Sequence, residues 1–228
     1  MMSIRNDVGL PVIESYVSIQ GEGKHLGLPV FILRLAGCNL KCPWCDSKFT
    51  WDTDNVTNMS MRDIIYEVIN SGTTNLLITG GEPLLYDDRI KVLLRIFNDY
   101  IGHGKKIIET NGTIYADFVE LGLDELVISP KLDFMSPEYL TTVNILYDRH
   151  RPNATLKFVV SCEKDISEVD RIVKTINADR RDVILMALGD NPDKLHGVDK
   201  EVIEWAIDRG YRWTPRAHIY VYGNVRGR

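Results

Sequence analysis

The chain has 228 residues, with 27 Lys and Arg against 32 Asp and Glu, for a formal net charge of -5. Hydrophobic residues at 44% and charged residues at 26% are globular values that exclude disordered, collagen-like and coiled-coil classes. The acidic balance argues against holding nucleic acid by bulk charge, no apolar run reaches the roughly 20 residues of a membrane span, and residues 1–7 carry no apolar signal core, so a cytoplasmic protein with no membrane contact is expected.

The elements alternate along the chain. Residues 29–36 read as a strand. Met61, Ile64, Ile65, Val68 and Ile69 follow the spacing of an amphipathic helix, started by Ser60 with Asp63 in a capping-box-like pair. Residues 75–79 form a short apolar strand ended by Gly80-Gly81, and Ile90, Leu93, Leu94 and Phe97 mark the next helix. Strands follow at 106–110 and 125–129, stopped by Asn111-Gly112 and by Pro130. Residues 136–148 are weakly helical in pattern, 156–160 are a strand, and Ile166, Val169, Ile172, Val173 and Ile176 line a helix. A strand at 183–188, a helix through 202–207 and a short closing strand at 218–222 complete the pattern.

Such alternation implies a parallel sheet with right-handed crossovers. About six βα units are countable, and a full eight-unit barrel typically needs about 250 residues. The expected fold is therefore α/β, a partial, open (β/α)6-type TIM-like barrel, in a single domain over residues 1–228. A doubly wound open sheet is the alternative. In either fold, sites gather at the C-terminal ends of the strands. Gly37-Cys38, Gly80-Gly81-Glu82-Pro83, Asn111-Gly112 and Pro130-Lys131 all fall there.

Four cysteines are too few for a disulfide scaffold of this length. Cys38, Cys42 and Cys45 form C-x3-C-x2-C on one loop, while Cys162 sits alone after a strand and reads as a buried or bystander thiol. Three thiolates suit a cubane iron–sulfur cluster with one iron left without a protein ligand. They also suit a three-cysteine zinc knot, which would want a fourth ligand, or simply reduced buried thiols.

The C-x3-C-x2-C after a first barrel strand resembles the radical S-adenosylmethionine superfamily, and Gly80-Gly81-Glu82-Pro83 resembles that superfamily's motif for the methionine end of its cofactor. Finer matches narrow this. Ser18-Ile19-Gln20-Gly21-Glu22-Gly23, Cys45-Asp46-Ser47-Lys48-Phe49-Thr50-Trp51-Asp52, Glu109-Thr110-Asn111-Gly112-Thr113 and Ser129-Pro130-Lys131 together resemble the 7-carboxy-7-deazaguanine synthase family. The likeness runs from about residue 14 to 131, with a weaker echo in the last dozen residues.

The resemblance implies a 4Fe-4S cluster on Cys38, Cys42 and Cys45, with S-adenosylmethionine chelated to the fourth iron and cleaved by one electron to a 5′-deoxyadenosyl radical. It implies cofactor contacts from Trp44, Cys45, Asp46, Gly81, Ser129, Pro130 and Lys131. The residues alone also allow plain packing for Trp44, a strand-to-helix turn for Gly80 and Gly81, and a strand stop for Ser129-Pro130-Lys131. Mg²⁺ on the Ser47 hydroxyl is implied too; a hard oxygen donor suits that ion, and a turn or N-cap serine is the plainer reading.

Substrate contacts are implied for Ile19, Gln20, Gly21, Arg34, Thr79 and His218. Arg34 stands inside an apolar strand, so it needs an anion, either a substrate carboxylate or a structural one. His218 is a lone histidine, a type more often structural. The implied activity is that of a lyase: conversion of 6-carboxy-5,6,7,8-tetrahydropterin to 7-carboxy-7-deazaguanine with release of ammonia, in queuosine-precursor biosynthesis. No classical acid–base dyad is evident in the sequence. The implied partners are a small-molecule pterin, an electron donor such as flavodoxin and a second copy in a homodimer. Two other classes stay open from the cysteine spacing: an activase that makes a glycyl radical on a partner protein, and a non-catalytic iron–sulfur or zinc protein.

Overall fold

The computed structural model describes residues 9–54 and 56–228. The reading of residues 1–7 lies outside them. β1 (Gly9–Ile19) runs antiparallel to β2 (Pro29–Leu35), with Glu14 opposite Arg34 and Tyr16 opposite Ile32. β3 (Thr57–Ser60) pairs antiparallel with the start of β1. α1 (Met61–Asn70) begins as the capping pair suggests: the Asp63 amide donates to Ser60 Oγ at 3.2 Å. The chain then alternates through β4 (Leu76–Gly80), α2 (Asp87–Tyr100) and β5 (Lys106–Thr110). β6 (Glu125–Ile128), α3 (Pro137–His150), β7 (Ala154–Val160) and α4 (Glu163–Thr175) follow. β8 (Val183–Ala187), α5 (Pro192–Arg209), β9 (Arg212–Trp213) and α6 (Ala217–Tyr222) end the fold.

All nine strands form one sheet in the order β3-β1-β2-β4-β5-β6-β7-β8-β9, parallel from β2 onward. From β2 onward the order never reverses, so the parallel strands have no switch point and the doubly wound alternative is excluded. β3 and β9 are free edges among the described residues, so the barrel is partial and open, as expected. The crossover from β5 to β6 replaces an α-helix with the 3-10 turn Val119–Leu121. Buried Ala116 and Phe118 fill the space there, and the Phe118 amide donates to His150 Nε2 at 3.2 Å.

The closing strand expected at 218–222 is instead helix α6. The alternation of Ile219 and Val221 imitates a strand, but the amides of Ile219 and Tyr220 both donate to Arg216 O, and only Ile219 of this helix is buried. β1 escaped the sequence pattern because Pro11, Glu14, Ser15 and Ser18 break its apolar alternation and a bulge lies between Val12 and Glu14. α5 reaches back to Pro192, where the Asn191 side chain accepts from the Lys194 amide. α3 is a full 14-residue helix capped by Ser136.

The pleat sends alternate residues to opposite faces. Leu33, Leu35, Ile78, Ile108, Leu126, Leu156 and Phe158 face the helices and form the main core with side chains such as Ile64, Phe97 and Val169. Each such burial contributes roughly 1.5–3 kcal/mol against the cost of ordering the chain. Val30, Ile32, Leu77, Ile107 and Val127 form a small apolar layer on the inner face. Below it, Thr155 Oγ1 donates to buried Glu125 at 2.6 Å and His25 Nε2 lies 3.5 Å from the same carboxylate. Above it, the inner face turns polar and opens into a cavity. No helix among the described residues is long and apolar enough to cross a membrane.

Candidate active site

The cavity measures about 240 Å³ and lies at the C-terminal ends of the parallel strands, where Thr79, Thr110, Ser129, Val159 and Leu188 line it. Of the site residues named from the sequence, every one except Pro130 lines this cavity. Pro130 is buried and is not among the lining residues.

The cysteine loop is built by a turn at Gly37, whose φ of 85° suits glycine, and by its amide donating to Thr50 O at 2.6 Å. The Cys45 amide donates to Cys42 O at 3.1 Å, curling the loop so that all three thiols face the cavity. The cysteines are free; Cys42 is buried, whereas Cys162 is exposed and not among the lining residues, a bystander and not a buried thiol. Burial pushes the Cys42 and Cys45 thiols up, so a cationic centre is needed to make them thiolates. No three His, Cys, Asp or Glu side chains among the described residues converge as one metal ion requires. Three thiols lining one cavity suit a cubane cluster with one iron free of protein ligands, where zinc would want a fourth ligand. Asn39 ties the loop to the end of β5: its Nδ2 donates to Thr113 Oγ1 at 2.7 Å and its Oδ1 accepts from Asn111 Nδ2 at 3.0 Å.

Gly80 and Gly81 are required by close approach. A Cβ on Gly80 would lie 2.1 Å from Leu35 O, and one on Gly81 would lie 2.1 Å from Gly37 O. The adjoining Glu82 is fully buried. It accepts from the Asn111 amide at 2.6 Å, Thr110 Oγ1 at 2.7 Å and the Leu84 amide at 2.9 Å, pinning the ends of β4 and β5 together. Burial pushes its carboxyl up even so.

Around the cysteines, Trp44 Nε1 donates to Asp133 Oδ2 at 2.8 Å, and Lys131 Nζ lies 5.7 Å from the Trp44 ring centre while donating to Ser129 Oγ at 3.0 Å. Burial lowers the Lys131 ammonium's pKa. Ser47 Oγ donates to Asp46 Oδ1 at 2.9 Å, and Asp46 Oδ2 accepts from Arg216. Burial opposes the Asp46 charge, but Arg216 outweighs it and holds the carboxyl below its usual range.

Arg34 has the structural partner that the sequence left open. Its Nε donates to Glu14 Oε1 at 2.7 Å and its Nη2 to Tyr16 Oη at 3.3 Å. Its Nη1 meets no protein acceptor among the described residues, and the guanidinium still lines the cavity. Arg226 reaches the same Glu14 at 3.2 Å and stacks 4.1 Å from the Phe49 ring centre.

A buried ionic chain crosses the floor; Gln20, Glu22, Asp46 and Glu109 in it lie within motifs visible in the sequence, whereas Lys157 and Arg216 were missed. Glu109 Oε1 accepts from Gln20 Nε2 at 3.1 Å and from Lys157 Nζ at 3.3 Å, and its Oε2 accepts from Thr79 Oγ1 at 3.3 Å. Lys157 also donates to Glu22 Oε2 at 2.7 Å, and Glu22 Oε1 accepts from Arg216 Nε at 3.1 Å. Burial opposes the Glu22 charge, but Lys157, Arg216 and His218 outweigh it and hold its carboxyl far below the usual range. Burial likewise opposes the Lys157 charge, and Glu109 and Glu22 raise its pKa. His218 sits on α6 with Nε2 3.9 Å from Glu22 Oε1, and burial lowers its pKa. Its Nδ1 occupies the space of a Cβ on Gly21, which is why that position is glycine.

Residues 32–175 match the Radical SAM superfamily family model. The chain is 34% identical over 230 residues to the 7-carboxy-7-deazaguanine synthase of Pyrobaculum aerophilum, covering 95% of this chain and 96% of that one. It is 35% identical to the protein of the same name in Halobacterium salinarum, covering 95% and 91%. Among solved structures, it is similar to the crystal structure of QueE from Escherichia coli, with a TM-score of 0.72 at 24% identity over 93% of this chain and 96% of that one.

Proposed function

The chain belongs to the radical SAM superfamily and, within it, to the 7-carboxy-7-deazaguanine synthase family, and from that premise we propose that it is a lyase converting 6-carboxy-5,6,7,8-tetrahydropterin to 7-carboxy-7-deazaguanine and ammonia. The superfamily carries a 4Fe-4S cluster and S-adenosylmethionine, which when bound supply the one-electron chemistry that starts the reaction. The observation that carries the proposal is the meeting, in one cavity, of three free cysteines with a polar floor and an arginine.

Cys38, Cys42 and Cys45 would hold the cluster. Gly81, Trp44, Cys45, Asp46 and the segment Ser129-Pro130-Lys131 would border S-adenosylmethionine, Pro130 through its neighbours because it does not itself line the cavity. The close glycine packing supports this, since any side chain at Gly81 would displace the Cys38 loop. Arg34 would offer its uncommitted Nη1 edge to the substrate carboxylate. Ser47 Oγ would add a hard oxygen to Mg²⁺ shared with that carboxylate and water. Ile19, Gln20, Gly21, Thr79 and His218 would border the ring. The chain's own work is then to bind, orient and shield, for which positioning alone is worth several kcal/mol. A flavodoxin-type electron donor and a homodimer belong to the same proposal, as does a single domain, supported by one sheet running from Gly9 to Trp213.

The test is an anaerobic assay of reconstituted protein with S-adenosylmethionine, a reductant, Mg²⁺ and the pterin, following product absorbance and ammonia together. Equal yields of both are expected from the parent and from Cys162→Ala, with none from Cys38→Ala, Cys42→Ala or Cys45→Ala. Cleavage of S-adenosylmethionine beside unchanged pterin would redirect the substrate reading. Full activity in Cys42→Ala would remove the cluster assignment.

A further inference from the structure

Strand β7 is apolar on both sides of Lys157, and Lys157 is only 4% exposed. Its ammonium lies between two carboxylates that come from different walls of the cavity: Glu22 from the loop after β1, and Glu109 from the end of β5. Each carboxylate holds a further part of the floor. Glu109 takes the Gln20 amide and the Thr79 hydroxyl. Glu22 takes Arg216, follows Gly21 directly, and precedes Gly23, whose amide donates to Thr214 Oγ1 at 2.7 Å. Without a cation between them, two carboxylates in a poorly hydrated site repel, and one of them takes up a proton.

We propose that Lys157 is a positioning residue for the substrate end of the cavity, joining Glu22 to Glu109 so that Gln20, Gly21, Thr79 and Glu109 present one fixed polar wall to the ring. The identity of the ligand rests on the pterin reading above; the wall is a property of the chain. Lys157 acts through its two carboxylates, so it governs how firmly the ring is held rather than how the cofactor binds.

The experiment compares Lys157→Met, which keeps length and loses charge, with Lys157→Arg, which keeps charge. Dissociation constants for the pterin and for S-adenosylmethionine are measured on cluster-loaded protein without reductant. Lys157→Met should raise the pterin constant about tenfold or more and leave the cofactor constant within about twofold. Its pterin affinity should also acquire a pH dependence that the parent lacks, falling as pH rises, because loss of a shared proton leaves Glu109 facing Glu22, which keeps only Arg216 and His218 beside it. Lys157→Arg should recover most of the affinity and the flat profile. Amide exchange at residues 20–23 gives a readout that needs no substrate, and it should quicken about tenfold in Lys157→Met.

Parent-like pterin affinity and a flat profile in Lys157→Met, with only a lower thermal midpoint, would reduce Lys157 to a structural ion pair. If the parent itself fails to bind the pterin, the substrate reading falls, and unchanged exchange at residues 20–23 in Lys157→Met would then overturn the positioning role independently. If Lys157→Met does not fold, a pH-dependent pterin affinity in Lys157→Arg would overturn it.

Discussion

Gly81→Ala tests the junction between the glycine pair and the cysteine loop. An Ala Cβ at position 81 would stand 2.1 Å from Gly37 O, 2.7 Å from Gly37 C and 2.9 Å from Cys38 Cβ. The first two are backbone atoms, and Gly37 O is already engaged by the Glu82 amide at 2.8 Å. Restoring an ordinary 3.4 Å contact requires the ends of β2 and β4 to part by about 1.3 Å. Overpacking of this kind costs about 1–3 kcal/mol and a lost buried hydrogen bond about 1 kcal/mol more, so the loss should be about 2–4 kcal/mol. That is smaller than the usual 5–15 kcal/mol of a domain, so the variant should fold, with a thermal midpoint lowered by about 4–16 °C. The shift falls on the chain one residue before Cys38. Bound iron and sulfide after anaerobic reconstitution should therefore drop well below the parent's. Gly197→Ala is the control: it lies exposed on α5 with nothing within 4 Å of a new Cβ, and should gain up to about 1 kcal/mol from helix propensity. A Gly81→Ala protein with parental midpoint and full iron content would refute the close-approach argument.

Ser47→Ala removes the hydroxyl that donates to Asp46 Oδ1 but leaves Asp46 on Arg216, so activity should respond less to added Mg²⁺ while cluster content stays level; superimposable Mg²⁺ titrations of variant and parent would take Ser47 out of the metal site. Ser47→Thr keeps the oxygen and should be much milder. Arg34→Lys loses the planar fork that holds Glu14 and Tyr16 and that is proposed to meet the substrate carboxylate, so pterin affinity should fall about tenfold with cofactor affinity intact; the opposite pattern would assign Arg34 to the cofactor. His150 is buried and accepts from the Phe118 amide, and burial depresses its pKa below the ordinary 6.5. Its stabilising contribution is present above that value and lost as pH falls through the depressed one, so stability should decline below about pH 6.5. That slope should flatten in His150→Gln, although His25 and His218, also depressed, keep part of it; an unchanged slope would clear His150.

The parallel strands were legible because each is a short apolar run closed by Gly, Asn or Pro, and the helices because their buried positions recur with helical spacing. What escaped lies at the ends. β1 carries polar residues along one edge and a bulge, so its period is broken. α6 presents Ile219 and Val221 in alternation but buries only Ile219, and periodicity over six residues cannot separate the two structures. The cysteines, the glycine pair and Ser47 were visible as motifs. Glu14, by contrast, reaches Arg34 only through the antiparallel pairing of β1 with β2, a contact that no local pattern contains.

The ionic floor has a signature in the sequence: Arg34 is a charge inside an apolar strand. Lys157 in β7 carries the same signature between Leu156 and Phe158, and Glu109 in β5 carries half of it, with Ile108 on one side and Thr110 on the other. In a parallel sheet covered on both faces by helices, both faces must be apolar and such charges would be intolerable. In a partial barrel, helices cover only the outer face. An inward charge near a strand's C-terminal end then marks the layer left for a ligand, and Arg34, Thr79, Glu109 and Lys157 occupy that layer on four different strands. Their charges can persist there because they alternate in sign from Glu109 through Lys157, Glu22 and Arg216 to Asp46, each desolvated group finding its partner inside the same chain. The same alternation explains why one substitution at Lys157 should be felt across two walls: it removes the only cation that touches both Glu22 and Glu109 among the described residues.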